Sequence, residues 1–192
     1  MVRSRLRAPR RVAGQSCRPA HGHRAGRHPG GVVILRELSP HDAEDVRQIY
    51  HGESVRYLGR DEMSATEATE YIARCIAWRQ QDPRVQHILG VEVASNLVGV
   101  IKLRADATTG RLSYIIRHDC WGRGYATAAV RELLTLAFNP LALTAVSAKH
   151  LPENAASGRV LLKAGFALIG EADGFAHYRI SLAEEPVNTA GR

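Results

Sequence analysis

The residues best suited to chemistry lie in a glycine-containing loop in the second half of the chain. Gly122 and Gly124 follow a strand-like run and precede an apolar helical pattern that extends to Phe138. Glycines let the backbone approach an anion closely, and the unpaired amides at a helix N-terminus carry a positive partial charge. This arrangement predicts a phosphate-binding loop.

Two widespread phosphate-binding patterns do not fit this loop. The Rossmann pattern requires a third glycine where this chain has Thr127, and it belongs near the first strand, whereas this loop follows the fourth. The P-loop requires a Gly-Lys-Ser or Gly-Lys-Thr triplet, which the sequence lacks. The loop therefore indicates a different phosphate-binding fold.

Motifs on both sides of the loop resemble a known family. Residues 114–117 (YIIR) precede residues 121–127 (WGRGYAT), and Asn154, Ser157 and residues 163–166 (KAGF) follow. In this order they resemble the GNAT superfamily of N-acetyltransferases, and within it the branch of ribosomal-protein alanine and serine N-acetyltransferases. The similarity extends from about residue 32 to residue 182.

The resemblance implies that acetyl coenzyme A (acetyl-CoA) is the cosubstrate. In that superfamily the equivalent loop binds the pyrophosphate through backbone amides, and the preceding strand separates from its neighbour to bind the pantetheine and the thioester carbonyl. Trp121 stands where many members have Gln or Arg, a small difference because the contacts are mainly from the backbone. The implied coenzyme contacts are Ile115, Ile116, Arg117, Trp121, Gly122, Arg123, Gly124, Tyr125, Ala126, Thr127 and Asn154.

Asn154 and Ser157 are the candidate catalytic residues. Direct transfer of an acetyl group to an amine in a ternary complex needs a donor for the oxyanion and a proton for the leaving thiolate. The resemblance implies a backbone N–H near Ile116 as the oxyanion donor, Asn154 as a coenzyme contact and Ser157 as the donor to sulfur. Their i, i+3 spacing places Asn154 and Ser157 on one helix face. The alternatives are a helix cap for Asn154 and a solvated helix position for Ser157.

The sequence does not identify a general base. Related chains often carry a glutamate where this chain has Ile169, with Glu171 displaced by two residues, and an acid where it has Arg111. Water can also accept the proton of an amine. The remaining candidates, each more typical of an exposed residue, are Glu53, Glu92, His118 and His150.

The elements that must position these residues do not alternate strictly between strand and helix. Helices are predicted after Ser39, after a capping box of Ser64 and Glu67, over residues 126–138, and from Pro152. Strands are predicted at residues 32–35, 87–93, 97–103, 112–117, 143–148, 167–169 and 175–180, with turns at 94–96 and 108–110. This order predicts an α/β (α+β) fold. Its mixed, mainly antiparallel sheet separates after the fourth strand and is flanked by about four helices.

Positive charge is concentrated at the N-terminus. The chain has a formal net charge of +7, yet residues 1–30 hold eight arginines and no acid, which leaves 18 basic against 19 acidic residues elsewhere. We expect residues 1–30 to be a disordered arm, residues 31–183 to be the acetyltransferase domain and residues 184–192 to be a tail. Histidines 21, 23 and 28 are more typical of a solvated cluster than of a metal site, and no metal is predicted.

Composition limits the compartment and the partners. No run approaches the roughly 20 apolar residues that span a bilayer, and Cys17, Cys75 and Cys120 are typical of free thiols in a reducing cytoplasm. The leading hypothesis is a cytoplasmic N-acetyltransferase, monomeric or homodimeric, that acts on a protein N-terminus or a small-molecule amine. Two alternatives stay open: a non-catalytic acyl-CoA-binding sensor, and a nucleic-acid-associated protein acting through the arm. Nucleic acid is not expected to bind the nearly neutral remainder.

Overall fold

The computed structural model describes residues 31–182, so the predictions for the arm, its histidines, Cys17 and the tail lie outside the described residues. The strands are β1 (Val33–Glu37), β2 (Gln86–Val93), β3 (Asn96–Asp106), β4 (Thr109–Ile116), β5 (Ala145–His150), β6 (Ala167–Ala172) and β7 (Phe175–Ser181). The helices are α1 (Ala43–Ile49), α2 (Ala65–Arg79), α3 (Tyr125–Phe138) and α4 (Ala155–Lys163).

All seven strands form one sheet in the order β1-β2-β3-β4-β5-β7-β6. Strands β4 and β5 are parallel, and every other neighbouring pair is antiparallel. The parallel pair is joined only at residues 109–111 and 145–147 and then separates. The predicted mixed, mainly antiparallel sheet, with a separation beside the fourth strand and four flanking helices, is therefore confirmed.

The two faces of the sheet carry separate apolar cores. Helices α1 and α2 pack over β2 and β3, in a core that includes Val46, Ile72 and Val100. Helices α3 and α4 pack on the opposite face, in a core that includes Leu133 and Leu161. Because α1 and α2 cover β1, β2 and only part of β3 on their face, the rest of that face, formed by the end of β3 near Arg104 together with β4, β5, β7 and β6, is termed here the open face.

The helix starts follow local capping rules. Helix α2 has the predicted box, because Ser64 Oγ accepts the N–H of Glu67 and the Glu67 carboxylate accepts the N–H of Ser64. The prediction that α4 begins at Pro152 was wrong. Asn154 caps that helix through Oδ1, which accepts the N–H of Ser157 at 3.2 Å, so the first helical residue is Ala155.

The turn between β3 and β4 lies earlier than predicted. Ala107, with a φ of 48°, occupies the turn, whereas Thr109 and Gly110 already belong to β4. A Cβ at position 110 would lie 2.8 Å from the Leu103 side chain and 2.9 Å from that of Leu143. Close packing between the sheet and its core, and not a turn, therefore favours glycine here.

A buried ion pair links β1 to the turn that precedes α1. Asp42 is fully buried and accepts hydrogen bonds from Arg36 at 2.8 and 2.9 Å and from the Ser39 N–H at 2.7 Å. Burial alone would raise the pKa of the Asp42 carboxyl, but the bonds from Arg36 and Ser39 outweigh burial and hold that pKa below its usual value. Arg36 also binds Glu92, so β1, β2 and the turn before α1 share one charged cluster.

Candidate active site

A cleft of about 530 Å³ lies over the gap between β4 and β5. Ile115 belongs to the core under α1 and α2, and Ile116 to the core under α3 and α4, so the cleft reaches both faces of the sheet. Its lining residues are Ser54, Tyr57, Leu58, Tyr114, Ile115, Ile116, Cys120, Trp121, Gly122, Gly124, Tyr125, Ala126, Thr127, Glu153, Asn154, Ala155, Ala156, Ser157, Arg159, Val160 and Lys163.

The edge of β4 directs a backbone N–H into this gap. The Arg117 N–H donates to the Val98 carbonyl at 2.8 Å. Alternate residues of an antiparallel strand bond to opposite sides, so Ile115 bonds towards β3 and the Ile116 N–H points away from β3, towards the gap. The Ile116 carbonyl accepts the indole Nε1–H of Trp121 at 2.7 Å, which holds the strand end in place. This direction is compatible with the oxyanion donor that the resemblance implied.

The start of α3 supplies amides that no side chain caps. Gly122 and Gly124 have φ values of 75° and 81°, and a Cβ would meet nothing within 4 Å at either position, so backbone conformation alone requires glycine. Gly124 occupies the N-cap position, and because glycine has no side chain, no side-chain hydrogen bond caps the helix. The N–H groups of residues 125–127 have no intrahelical acceptor and lie at the positive end of the helix dipole. An anion fits here.

The first turn of α4 presents the predicted pair to the same cleft. Asn154 acts as a cap through Oδ1, and among the described residues neither its Nδ2 nor the Ser157 hydroxyl has a hydrogen-bond partner. The Tyr114 hydroxyl donates to the Ser157 carbonyl at 3.5 Å. Burial raises the pKa of Tyr114 to about 12, so this phenol is protonated at neutral pH. Both readings of Asn154, as a cap and as a cleft residue, are compatible with the geometry.

Two of the implied coenzyme contacts direct their side chains elsewhere. Arg117 is 9% exposed, and its Nε donates to Asp119 Oδ1 at 2.7 Å. The Arg123 guanidinium donates to the Asp119 carbonyl at 3.2 Å. Neither arginine lines the cleft, whereas all the other implied contacts do.

None of the four candidate bases lines the cleft. The Glu92 carboxylate is bound to Arg36, and exposed Glu53 lies 3.5 Å from Arg56. His118 lies in a separate depression of the surface. These three residues are placed for structural or solvent-facing roles.

His150, the fourth candidate, lies beneath α4. Its Nδ1 is 2.8 Å from the Leu151 carbonyl and therefore carries the proton, so Nε2 accepts from the Tyr178 hydroxyl at 3.2 Å. A Cβ at Gly158 would lie 2.9 Å from His150 Nε2. The imidazole therefore packs against α4, and Gly158 allows this close approach.

Several lining residues were not found by the sequence analysis. Ser54, Tyr57 and Leu58 come from the segment after α1, and the Ser54 hydroxyl accepts the His118 N–H at 2.9 Å. No local motif marks them, because they reach the cleft only when α1 and α2 pack on the sheet. Arg159 and Lys163 stand at i and i+4 on α4, a spacing that could have indicated a cationic helix face.

A sheet that opens beside an uncapped helix start is typical of acyl-CoA-dependent transferases. The chain belongs to the acetyltransferase (GNAT) domain family, whose model matches residues 33–167. As a member of this family, the protein is an acyltransferase that uses acetyl-CoA and transfers the acetyl group to an amine.

Individual relatives agree with this assignment. An uncharacterized N-acetyltransferase of Bacillus subtilis, YoaA, is 28% identical over 139 residues, which cover 70% of this chain and 78% of YoaA. The structure of Mycobacterium smegmatis RimJ in complex with CoA-disulfide superposes with a TM-score of 0.68 and 25% identity, covering 82% of this chain and 86% of RimJ. The structure of RimL, a ribosomal L7/L12 alpha-N-protein acetyltransferase in complex with coenzyme A, has a TM-score of 0.69 and 16% identity, covering 79% of this chain and 94% of RimL.

Two further findings concern residues 31–182 alone. No helix in that range combines the length and the apolar content needed to cross a bilayer. The same residues hold no cluster of three or more His, Cys, Asp or Glu side chains that could bind a metal ion.

Proposed function

We propose that the protein acetylates the α-amino group of a protein N-terminus and acts in the cytoplasm. Support for this acceptor class comes from the sequence motifs shared with ribosomal-protein N-acetyltransferases and from the similar structure of RimL, a ribosomal L7/L12 alpha-N-protein acetyltransferase. The observation that carries the proposal is the Ile116 N–H, which points into a cleft that also contains the uncapped start of α3 and the Ser157 hydroxyl.

The coenzyme lies along the cleft in an order set by charge. Its pyrophosphate binds the amides of Gly122 and of residues 124–127, where the dipole of α3 favours an anion. The pantetheine follows the free edge of β4, with its amides bonding to outward-facing backbone groups. Arg159 and Lys163 on α4 lie beside the remaining phosphate of the coenzyme and neutralise it.

The reaction proceeds by direct attack. The neutral amine attacks the thioester carbonyl carbon, a C–N bond forms, and the Ile116 N–H stabilises the oxyanion. The C–S bond then breaks, and the sulfur takes a proton from the Ser157 hydroxyl. Ser157 regains a proton from the acetylated nitrogen through water, so the products are an amide and free coenzyme A.

Gly124→Val tests the coenzyme site. A branched side chain at the start of α3 occupies the position of the pyrophosphate, and we expect calorimetry to show at least a 100-fold loss of acetyl-CoA affinity. Gly174→Val is a matched control, because Gly174 has a φ of 75° in the β6–β7 turn and a Cβ there also meets nothing within 4 Å. Both variants carry similar backbone strain, so equal affinities in the two folded variants would contradict the site.

Free-thiol release tests the acceptor. Peptides with a free α-amino group should be turned over, whereas N-acetylated copies of the same peptides should not. Turnover of small-molecule amines without turnover of any peptide contradicts the acceptor proposed here. Tight acetyl-CoA binding without turnover of any amine favours the alternative of a non-catalytic sensor.

A further inference from the structure

A row of arginines crosses the open face of the sheet. Arg104 on β3 pairs with Arg111 on β4, Arg111 with Ser147 on β5, and Ser147 with Arg179 on β7. Residues paired across strands project to the same face, so these four side chains form one line. We call Arg104, Arg111 and Arg179 the arginine row. Lys102 and Lys149, two positions away on β3 and β5, project to the same face.

The arginine row is exposed and not neutralised. No ion pair among residues 31–182 involves its members, and of the β3, β4, β5 and β7 residues that share this face, Asp106 is the one acid. Arg104 and Arg111 lie directly opposite each other on neighbouring strands, and like charges in such positions are destabilising. Ion pairs with carboxylates occur instead at Arg36, Arg47, Arg56, Arg60, Arg74, Arg84 and Arg117.

The arginine row lies directly beside the gap in the sheet. Arg111 and Ser147 are the last paired positions before β4 and β5 separate. Arg111 and Ile116 are five residue steps apart along an extended strand, or about 17 Å. An extended acceptor whose amine lies at Ile116 reaches Lys102, opposite Ser113, near its third residue, and the arginine row near its fifth or sixth.

We propose that the open face binds an acidic segment of the acceptor, with Asp or Glu at about positions three to six of its N-terminus. This inference rests on the function proposed above and names its substrate class. The row extends over three strand spacings, about 14 Å, and the two lysines widen the cationic area. That width suits several carboxylates distributed along a peptide better than it suits a single phosphate group. The helices that contact β4 and β5 are α3 and α4, which lie on the opposite face and leave β4, β5 and β7 open to a peptide. At β3 the area borders α1 and α2, and the Lys102 ammonium lies 5.1 Å from the centroid of the Tyr71 ring.

The kinetic test compares two hexapeptides with a free N-terminal alanine. One carries Glu at positions three to six and the other carries Gln there. At low salt we expect the parent enzyme to show about tenfold higher kcat/KM for the acidic peptide, because three or four exposed charge pairs contribute modestly each. Arg104→Gln/Arg111→Gln/Arg179→Gln should reduce this ratio to about one. Arg74→Gln, which removes an exposed arginine from α2, should retain the preference.

A binding test works without turnover. The N-acetylated acidic hexapeptide, labelled at its C-terminus, is titrated by fluorescence anisotropy against the protein saturated with coenzyme A. We expect binding that weakens with salt and is lost in the triple variant. This binding supports the inference even if no peptide is acetylated, a result that would contradict the proposed function alone.

Three outcomes overturn the inference. The first is equal kcat/KM for the acidic and neutral peptides in the parent enzyme. The second is a preference, or an affinity for the labelled peptide, that the triple variant leaves unchanged. The third is displacement of the labelled peptide by a single-stranded oligonucleotide at lower concentration than by the unlabelled acidic peptide, which would assign the open face to nucleic acid.

Discussion

The two halves of the sheet differ in how far their arginines are paired and their helix starts are capped. Around β1 and β2, arginines are paired with carboxylates, as in Arg36–Asp42 and Arg84–Glu37, and α2 begins with a complete capping box. In the other half, α3 begins without a side-chain cap, β4 has an open edge, and the arginine row, which starts at Arg104 on the end of β3, faces solvent. In the first half, these ion pairs and this cap stabilise the fold. In the second half, groups without partners mark the places where ligands are expected to bind.

If this contrast is correct, Asp42→Asn should have the largest effect on stability and little effect on acetyl-CoA binding. Removing one member of a buried ion pair leaves Arg36 undercompensated, so we expect the free energy of unfolding to fall by about 3 kcal/mol in urea titrations. Glu44→Gln is the control, because the exposed Glu44–Arg47 pair should leave the unfolding curve nearly unchanged. A large loss of coenzyme affinity in folded Asp42→Asn would contradict the separation of the halves.

The contribution of Asp42 depends on pH in a defined direction. Its pKa in the folded protein lies below the unfolded value of about 4. The stabilisation is therefore complete above about pH 4 and is lost as the pH falls through the lower, folded-state pKa. The stability difference between the parent and Asp42→Asn should shrink in that acidic range.

Ser157→Ala tests the role of the second half of the sheet in catalysis, through its effect on kcat. If the hydroxyl donates to the departing thiolate, kcat should fall about 10- to 1000-fold with little change in acetyl-CoA affinity or in stability, because the proton matters only as charge develops on sulfur. Steady-state kinetics at several pH values from about 6 to 9 provide the measurement. Parent-like turnover across that range would assign the proton to water or to another cleft group, such as the Tyr114 hydroxyl, which donates to the Ser157 carbonyl.

Asn154→Ala and Ser64→Ala compare two caps directly. Each substitution removes a side-chain bond to the third amide of a helix and should cost about 1 kcal/mol of stability. Only Asn154 lines the cleft, so only its variant should also raise the KM for acetyl-CoA, by about fivefold for one lost hydrogen bond. Equal KM values for acetyl-CoA in the two variants would show that Asn154 acts as a helix cap and not as a coenzyme contact.

The smallest expected effect concerns His87, a buried residue of β2 whose Nε2 has no hydrogen-bond partner. Burial lowers the pKa of this imidazole below its usual value. The neutral form is therefore favoured by folding, and stability is complete above about pH 6.5 and declines as the pH falls below it. His87→Leu should show a shallower decline between pH 7 and pH 5 in denaturant titrations, while a slope equal to that of the parent would show that other groups control it.

Features with a local physical cause were predictable from the sequence. The capping box of α2, the glycines of the loop and the separation beside the fourth strand are confirmed or observed as predicted, because each depends on nearby residues or on the family resemblance. Local rules failed where packing decides. Gly110 looks like a turn residue but lies in a strand beside Leu103, and Pro152 looks like a helix start but precedes the cap at Asn154.

Long-range features could not be derived from spacing. The arginine row joins residues from β3, β4 and β7, which are separated by up to 75 positions in sequence and meet only through strand register. Tyr57 and Leu58 enter the cleft only through the docking of α1 and α2. Glu92 and His150 were candidate bases by residue type, and only their partners, Arg36 and Tyr178, place them in structural roles.

The indole of Trp121 gives the protein a built-in optical reporter. The chain has two tryptophans, and Trp121 lines the cleft at 47% exposure while Trp78 lies on α2. In a Trp78→Phe variant, all the tryptophan emission comes from the cleft. A bound coenzyme excludes water from that indole, so the emission spectrum should shift to shorter wavelength on titration. Coenzyme affinity can then be read from intrinsic fluorescence without any label.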